Sequence, residues 1–171
     1  MKISVFDLSV IRGYSVFDFV KSYNRKFICS DDYIDRFFRS ALEYSLPVPY
    51  TKDEIKTLHK RALEKNPKDD IYIRILLTGG ISEDTLSLGR NQSFMMLINY
   101  AHPINSELYE KGARFITHIG PRISPEVKST NYTNSIYARH KYQDEKFTDI
   151  LLVDANDDPN IYEGSVNNIF F

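Results

Sequence analysis

The sequence has few cysteines and no long apolar run. Its one cysteine, Cys29, excludes an intramolecular disulfide and suits a reducing compartment. The N-terminal stretch lacks the apolar run of a signal peptide, and no later stretch approaches the length of a membrane span. These absences predict a cytoplasmic protein without a membrane partner.

An excess of charge of one sign is also missing. The net charge is -1 and the isoelectric point is about 6.4, so nothing favours binding to nucleic acid or to an anionic membrane. The four histidines do not have the spacing of a zinc site, and neither G-x-x-x-x-G-K-S/T nor G-x-G-x-x-G occurs. We therefore expect no metal and no nucleotide-binding loop.

The apolar pattern predicts an α+β protein. Strands are expected at residues 3–8, 15–23, 26–29, 71–78, 94–100, 113–118, 149–153 and 168–171. Ser30 is expected to cap a helix with an apolar stripe, and a Thr51-x-x-Glu54 capping box to open a second helix. A third helical stretch should follow Lys128 and run to about Tyr142.

Residues 120–125 contain two prolines and a glycine and are expected to form an irregular linker. This linker divides the chain into a domain at residues 1–120 and the beginning of another at residues 121–171. In the first, two helices combine with a predicted antiparallel or mixed sheet.

Two segments of the last third carry the chemistry. One is EVKSTNY at residues 126–132 and the other is EGSVNNIF at residues 163–170, so Lys128 and Glu163 lie 35 residues apart. An enzyme that uses pyridoxal phosphate (PLP) needs such a pair, because a lysine binds the cofactor and a carboxylate keeps its pyridine nitrogen protonated.

These segments resemble the K-S-x-N and E-G/A-S-x-x-N-I/V-F motifs of the class IV aminotransferase family. That family includes branched-chain and D-amino-acid aminotransferases and aminodeoxychorismate lyase. The resemblance implies an N-terminal α/β sandwich-type domain followed by a mostly β domain. It also implies PLP as cofactor, amino-acid and 2-oxo-acid substrates, and a homodimer.

Two earlier segments extend the resemblance. GYSVFD at residues 13–18 is similar to the G-x-S-V-F-E of branched-chain enzymes, and residues 31–42 are similar to E-H-L-x-R-L-x-x-S-A. The second similarity implies that Arg36 grips the cofactor phosphate, since a guanidinium matches phosphate geometry. From the pattern alone Arg36 lies off the apolar stripe, as a solvated arginine does, and Phe17 fits an ordinary core aromatic equally well.

The resemblance implies a role for each candidate residue. Lys128 is catalytic and binds PLP, Glu163 pairs with the pyridine nitrogen, and Tyr132 is a candidate for the phenolic oxygen of the cofactor. Ser165 and Asn167 are expected to make further contacts with the cofactor. Phe17 and Arg74 are expected to line the substrate pocket. Arg74 is read alternatively as a surface residue on an edge strand.

Two motifs depart from the family. Asn131-Tyr132 comes one residue sooner after Lys128 than the N-Y of branched-chain enzymes. D-amino-acid aminotransferases have T-R-G after the strand at residues 71–78, and this chain has Thr78-Gly79-Gly80, so that carboxylate contact is not expected. The interpretation is an aminotransferase acting on a branched-chain-like or other small amino acid. The alternatives are a lyase of the same family and a truncated, inactive relative.

Complete family members continue well past the glutamate motif, so the sequence is expected to be an N-terminal fragment. The amino acid used, its L or D configuration and the amino acceptor stay open.

Overall fold

The computed structural model describes residues 2–67, 69–101, 103, 105–120, 123–156 and 160–170. The chain folds as two compact units. The first comprises residues 1–102 together with 126–131, and the second comprises residues 103–125 together with 132–171. The first unit thus contains a short segment from the last third of the chain, and that segment includes Lys128. The predicted boundary at residues 120 and 121 stays a prediction, and residues 121 and 122 of its linker lie outside the described part.

A four-stranded antiparallel sheet forms the centre of the first unit. Its strands stand in the order β2-β1-β3-β4, with every neighbouring pair antiparallel. The elements are α1 (Leu8–Ile11), β1 (Ser15–Tyr23), β2 (Lys26–Phe27), α2 (Ser30–Glu43), α3 (Lys52–Lys65), β3 (Ile71–Thr78) and β4 (Phe94–Tyr100).

One face of this sheet carries the core. Alternate residues of a strand point to the same face, and Val16, Val20, Ile73 and Leu77 are buried in one cluster with residues of α2 and α3. The largest fully buried side chain is Phe37 of α2. Burying one face of the sheet under two amphipathic helices explains why burial alternates along most of β3.

The ends of the two helices follow from local chemistry. Thr51 and Glu54 form the predicted capping box of α3, in which each side chain accepts a backbone amide of the other residue. The N-cap of α2 is Cys29, in a left-handed conformation, rather than Ser30, which is the first helical residue. Asp31 and Asp32 lie in the first turn, where the helix dipole favours negative charge.

The second unit has a smaller, three-stranded sheet. Its elements are α4 (Glu107–Lys111), β5 (Phe115–Ile119), α5 (Thr133–Lys141), β6 (Asp149–Val153) and β7 (Ile161–Gly164). The central strand β6 is parallel to β5 and antiparallel to β7. Ala138 of α5 packs on Ile150 and Leu152 of β6 to form a separate small core.

The α+β class is confirmed, and the strands expected at 15–23, 71–78, 94–100 and 149–153 are found with those bounds. Two strand predictions are wrong. Residues 3–8 form no strand, because the chain turns there into the short helix α1. Residues 168–170 form no strand either; β7 precedes them, and Phe171 lies outside the described residues.

The remaining boundaries shift slightly. The return strand of the first hairpin is shorter than predicted, because the backbone leaves the extended conformation at Cys29. The tight turn at Asn24 and Arg25 is present, with positive φ at both residues. No helix among the described residues is both long and apolar enough to cross a membrane.

Candidate active site

The segment that carries Lys128 lies along the edge of β1 that β3 leaves free. Ser129 forms an antiparallel bridge with Val16. The Phe17 amide donates to the Lys128 carbonyl at 3.0 Å, and the Thr130 amide donates to the Ser15 carbonyl at 3.0 Å. The segment therefore acts as a short extra strand, which satisfies backbone groups that an open sheet edge would leave unpaired.

Side chains fix the same segment from two further sides. The Lys128 amide donates to Oγ of the buried Ser40, at 3.0 Å, and Val127 is buried in the core of the first unit. The Thr130 hydroxyl donates to the Gly13 carbonyl at 3.1 Å and forms a short hydrogen bond with the Ser15 hydroxyl. The lysine therefore extends from a backbone held at both its amide and its carbonyl.

Two predicted cationic residues, Lys128 and Arg74, lie over the ring of a third predicted residue, Phe17. Nζ of Lys128 lies 5.0 Å from the centroid of the Phe17 ring, and Cζ of Arg74 lies 5.5 Å from the same centroid. Cations are attracted to the face of such a ring at these distances. The alternative reading of Arg74 as an edge-strand residue is wrong, because β3 lies between β1 and β4. Its side chain is nevertheless exposed.

Arg36 is engaged by a different residue of β1. Its Nε and Nη2 donate to the two carboxylate oxygens of Asp18, at 2.8 and 2.7 Å, which is a bidentate pair. The Asp18 side chain is 1% exposed and that of Arg36 is 35% exposed. Arg36 is therefore not the fully solvated residue that the pattern alone suggests.

Asp18 and Phe17 are neighbours in β1, so their side chains leave opposite faces of the strand. Lys128 thus lies on the Phe17 side and Arg36 is tied to the Asp18 side. The phosphate role of Arg36 remains a prediction.

Close packing explains why glycine occupies both positions after β3, Gly79 and Gly80. A Cβ on Gly79 would lie 2.8 Å from the Leu8 Cβ and 2.8 Å from the Tyr14 carbonyl oxygen. A Cβ on Gly80, whose φ is +81°, would lie 2.7 Å from the Arg90 carbonyl oxygen. An arginine in the place of Gly79 would therefore clash, which agrees with the expected loss of that carboxylate contact.

In the second unit Glu163 lies in β7, opposite Leu152 of β6. The next residues turn back on Asp149: the Ser165 hydroxyl forms a short hydrogen bond to its carboxylate, and Nδ2 of Asn167 donates to it at 2.6 Å. Ser165 and Asn167, predicted as cofactor contacts, are thus bonded within their own unit. Whether they also touch a cofactor stays a prediction.

Tyr132 is the residue before α5, in the second unit. Lys128 and Glu163 belong to different units, and their convergence on one ring stays a prediction.

The sequence reasoning missed three polar residues that organise these segments, namely Asp18, Ser40 and Asp149. Asp18 and Ser40 occur inside the family-like segments, where they were given no role. Asp149 carries a weaker signal, a charged residue that begins an otherwise apolar strand. All three are buried polar side chains, and such groups are normally hydrogen-bonded to something that they hold in place.

The comparison with protein families agrees with the motifs. Residues 15–171 match the family described as amino-transferase class IV, so the chain belongs to the class IV aminotransferase family.

Among curated proteins, a Methanocaldococcus jannaschii protein provisionally named a branched-chain-amino-acid aminotransferase is 31% identical over 177 residues. The match covers 99% of this chain and 59% of that protein. The chain thus spans about three fifths of the length of this relative.

Solved structures share the fold. The branched-chain aminotransferase of Thermoproteus uzoniensis with norvaline is 25% identical, with a TM-score of 0.76 over 96% of this chain and 58% of that chain. A hypothetical aminotransferase from Mycobacterium tuberculosis, solved in a PLP-bound form, has a TM-score of 0.75 at 16% identity. It is matched over 96% of this chain and 60% of its own.

Proposed function

We propose that this chain belongs to a PLP-dependent aminotransferase that moves an amino group between an amino acid and a 2-oxo acid. The observation that carries the proposal is the placement of Lys128. It lies in the family's lysine motif, its backbone is held at both amide and carbonyl, and its amine lies over the Phe17 ring. A covalent cofactor needs such a fixed attachment point.

The donor set of the described residues fits PLP. The cofactor offers an aldehyde, a phosphate and a pyridine nitrogen, and the chain offers an amine at Lys128, a guanidinium at Arg36 and a carboxylate at Glu163. We assign these three residues to those three groups. Tyr132, Ser165 and Asn167 are proposed as additional cofactor contacts.

PLP, when bound, withdraws electrons from the α-carbon of the attached amino acid and so makes its proton acidic. The residues of this chain act around that step. With PLP bound, the Lys128 amine would act as the general base that takes the proton from the α-carbon. The Glu163 carboxylate keeps a proton on the pyridine nitrogen, and Arg36 holds the phosphate so that the amine and the α-carbon stay in register.

For the substrate we propose a branched-chain-like or other small amino acid. Phe17 and Arg74 support this choice, because the ring offers an apolar wall and the exposed guanidinium beside it can bind a carboxylate. The name of the archaeal relative points the same way. We further propose a homodimeric, cytoplasmic enzyme. Sedimentation velocity on the full natural protein tests the dimer, and a single monomeric boundary would contradict it.

Absorbance spectroscopy tests the cofactor assignment. The full natural protein, mixed with PLP and then dialysed, should keep a visible absorption band, and Lys128→Ala should abolish it. Lys60→Ala is the matched control, because Lys60 is an exposed lysine of α3 outside the predicted site. A wild-type protein without the band, or a band that survives Lys128→Ala unchanged, would contradict the proposal.

Product analysis then separates the reaction types. Incubation with leucine and 2-oxoglutarate should yield glutamate, and incubation with aminodeoxychorismate should yield no cleavage product. The reverse result would favour the lyase of the same family. Neither product from a protein that retains the cofactor would favour an inactive relative.

A further inference from the structure

The carboxylate of Asp149 is the centre of a buried hydrogen-bond cluster in the second unit. Asp149 begins β6 and is 1% exposed. It accepts hydrogen bonds from the Ser165 hydroxyl, from Nδ2 of Asn167 at 2.6 Å and from Nη1 of Arg139 at 2.8 Å. The Val166 amide approaches the same carboxylate at 3.5 Å. Three of these four donors come from the turn that follows Glu163.

The backbone of that turn closes tightly around the carboxylate. The Gly164 amide donates to the Asn167 carbonyl at 3.0 Å, and the Ser165 amide donates to the Ile150 carbonyl at 3.0 Å. A Cβ on Gly164 would lie 3.2 Å from Oδ2 of Asp149 and 3.1 Å from the Asn167 carbonyl oxygen. The glycine of the E-G-S segment therefore lets the turn approach Asp149, whose carboxylate the serine binds.

The strand ladder that contains Glu163 is short and irregular. The β6–β7 ladder pairs Leu151 with Gly164, Leu152 with Glu163 and Val153 with Ile161, and its register shifts between Leu152 and Val153. The irregularity is thus on one side of Glu163. The Asp149 cluster is on the other side of Glu163 and begins at Ser165, two residues beyond it, so it holds the chain where the ladder ends.

The Asp149 carboxylate stays charged in this setting. Burial alone would raise its pKa, but hydrogen bonds from Ser165, from the Ile150 amide and from Asn167 outweigh burial and lower the pKa below its usual value. A charged acceptor makes stronger hydrogen bonds to the turn than a neutral amide could.

We propose that Asp149 is a positioning residue, which holds the turn at residues 163–167 and thereby fixes Glu163. Ser165 and Asn167 act on Glu163 through Asp149. The link from Glu163 to the cofactor rests on the proposed function, whereas the anchoring of the turn does not.

Hydrogen exchange on the cofactor-free full natural protein tests the anchoring. Asp149→Asn should speed exchange of the Ser165 and Gly164 amides by about tenfold or more, because a weaker acceptor releases the turn. Asp154→Asn is the control: Asp154 follows the same strand and also binds two asparagine side chains, those of Asn156 and Asn160, and none of the residues around Asp149. It should leave the Ser165 and Gly164 amides unchanged.

A second variant covers the possibility that Asp149→Asn does not fold. The double change Ser165→Ala with Asn167→Ala removes the two side-chain donors of the turn and keeps the Asp149–Arg139 pair, and it should speed exchange of the same amides. Added to Asp149→Asn, it should have little further effect, since all three groups form one cluster. Unchanged exchange of the Ser165 amide in both variants would overturn the anchoring.

The PLP-loaded protein distinguishes a positioning role of Asp149 from a purely structural one. A purely structural role would leave the absorption band and the affinity of bound PLP unchanged. Asp149→Asn should shift the visible band of bound PLP in the same direction as Glu163→Gln, the comparison variant, and should weaken PLP affinity about tenfold. Faster exchange with a wild-type spectrum and affinity would overturn the positioning role. If the wild-type protein does not bind PLP, the proposed function fails, and the exchange result alone upholds or overturns the anchoring of the turn.

Discussion

Asp18 and Arg36 form a charged pair in which the Asp18 side chain is buried and the Arg36 side chain is partly exposed. The Asp18 carboxylate also accepts the Phe19 amide at 2.7 Å, so it is satisfied on more than one side. Removing one partner of such a pair is costly, because the charge left behind has lost its solvent as well as its partner. Arg36 therefore stabilises the first unit in addition to its proposed role at the phosphate.

This pair gives a prediction for stability. Arg36→Ala should lower the free energy of unfolding by about 1–3 kcal/mol, since it leaves the buried Asp18 charge unpaired. Adding Asp18→Asn should recover part of the loss, because the neutral amide costs less to bury. Urea denaturation of the single and double variants measures both effects.

The matched control is Arg39→Ala, an exposed arginine in the same helix. It should change stability by less than about 0.5 kcal/mol. Equal losses for the Arg36 and Arg39 variants would show that the Asp18 pair contributes nothing.

At the scale of elements, α2 serves the site at two points. Arg36 and Ser40 are four residues apart, so they lie on one face of the helix. The first binds Asp18 of β1, and the second accepts the Lys128 amide. A helix whose apolar stripe packs on the sheet thus also sets the position of the lysine segment.

The Ser40 hydrogen bond can be tested by itself. Ser40→Ala should speed exchange of the Lys128 amide and cost about 1–3 kcal/mol of stability, because a partly buried donor loses its acceptor. Hydrogen exchange followed residue by residue gives the measurement. Amides of β6 serve as the internal control. If the Lys128 amide of Ser40→Ala exchanges as slowly as in the wild type, the Ser40 hydrogen bond does not hold the lysine segment.

At the scale of the whole molecule, acid stability depends on a histidine sealed inside the first unit. His59 of α3 is buried beside Phe27, and its Nε2 has no hydrogen-bond partner among the residues that the structure describes. Burial lowers the pKa of His59 from 6.5 to about 4. The folded protein therefore takes up this proton at lower pH than the unfolded chain does.

The sign of the effect follows from that difference. Well above pH 6.5 the histidine is neutral in both the folded and the unfolded state, so it does not lower the free energy of unfolding. As the pH falls from about 6.5 to about 4 the unfolded chain gains the proton first, so stability drops by about 3 kcal/mol in total. His59→Leu should remove this component of the acid sensitivity.

Unfolding free energies of wild type and His59→Leu, measured between pH 7 and about pH 4, test the prediction. The stability of the wild type should fall relative to that of His59→Leu as the pH falls. The control is His140→Leu, which changes an exposed histidine of α5 and should leave the wild-type pH dependence intact. Parallel curves for wild type and His59→Leu would contradict the prediction.

Most of the secondary structure was determined by the sequence alone. Runs such as residues 71–78 and 149–153 are apolar and β-branched, and the capping box of α3 is four residues long, so local physics suffices. The motifs around Lys128 and Glu163 likewise identified the family. Strand prediction failed at residues 3–8, where one isolated bridge from Asp7 to Ile81 takes the place of a ladder, and at residues 168–170, which pair with no strand among the described residues.

The tertiary structure alone decided what holds the site together. The Lys128 amide finds Ser40 across 88 residues, and Ser15 meets Thr130 across 115 residues. The contacts of Asp18 with Arg36 and of Asp149 with the Glu163 turn are also between separate elements. Such pairings follow from the packing of whole elements, and local periodicity carries no information about which distant partner a buried polar group will meet.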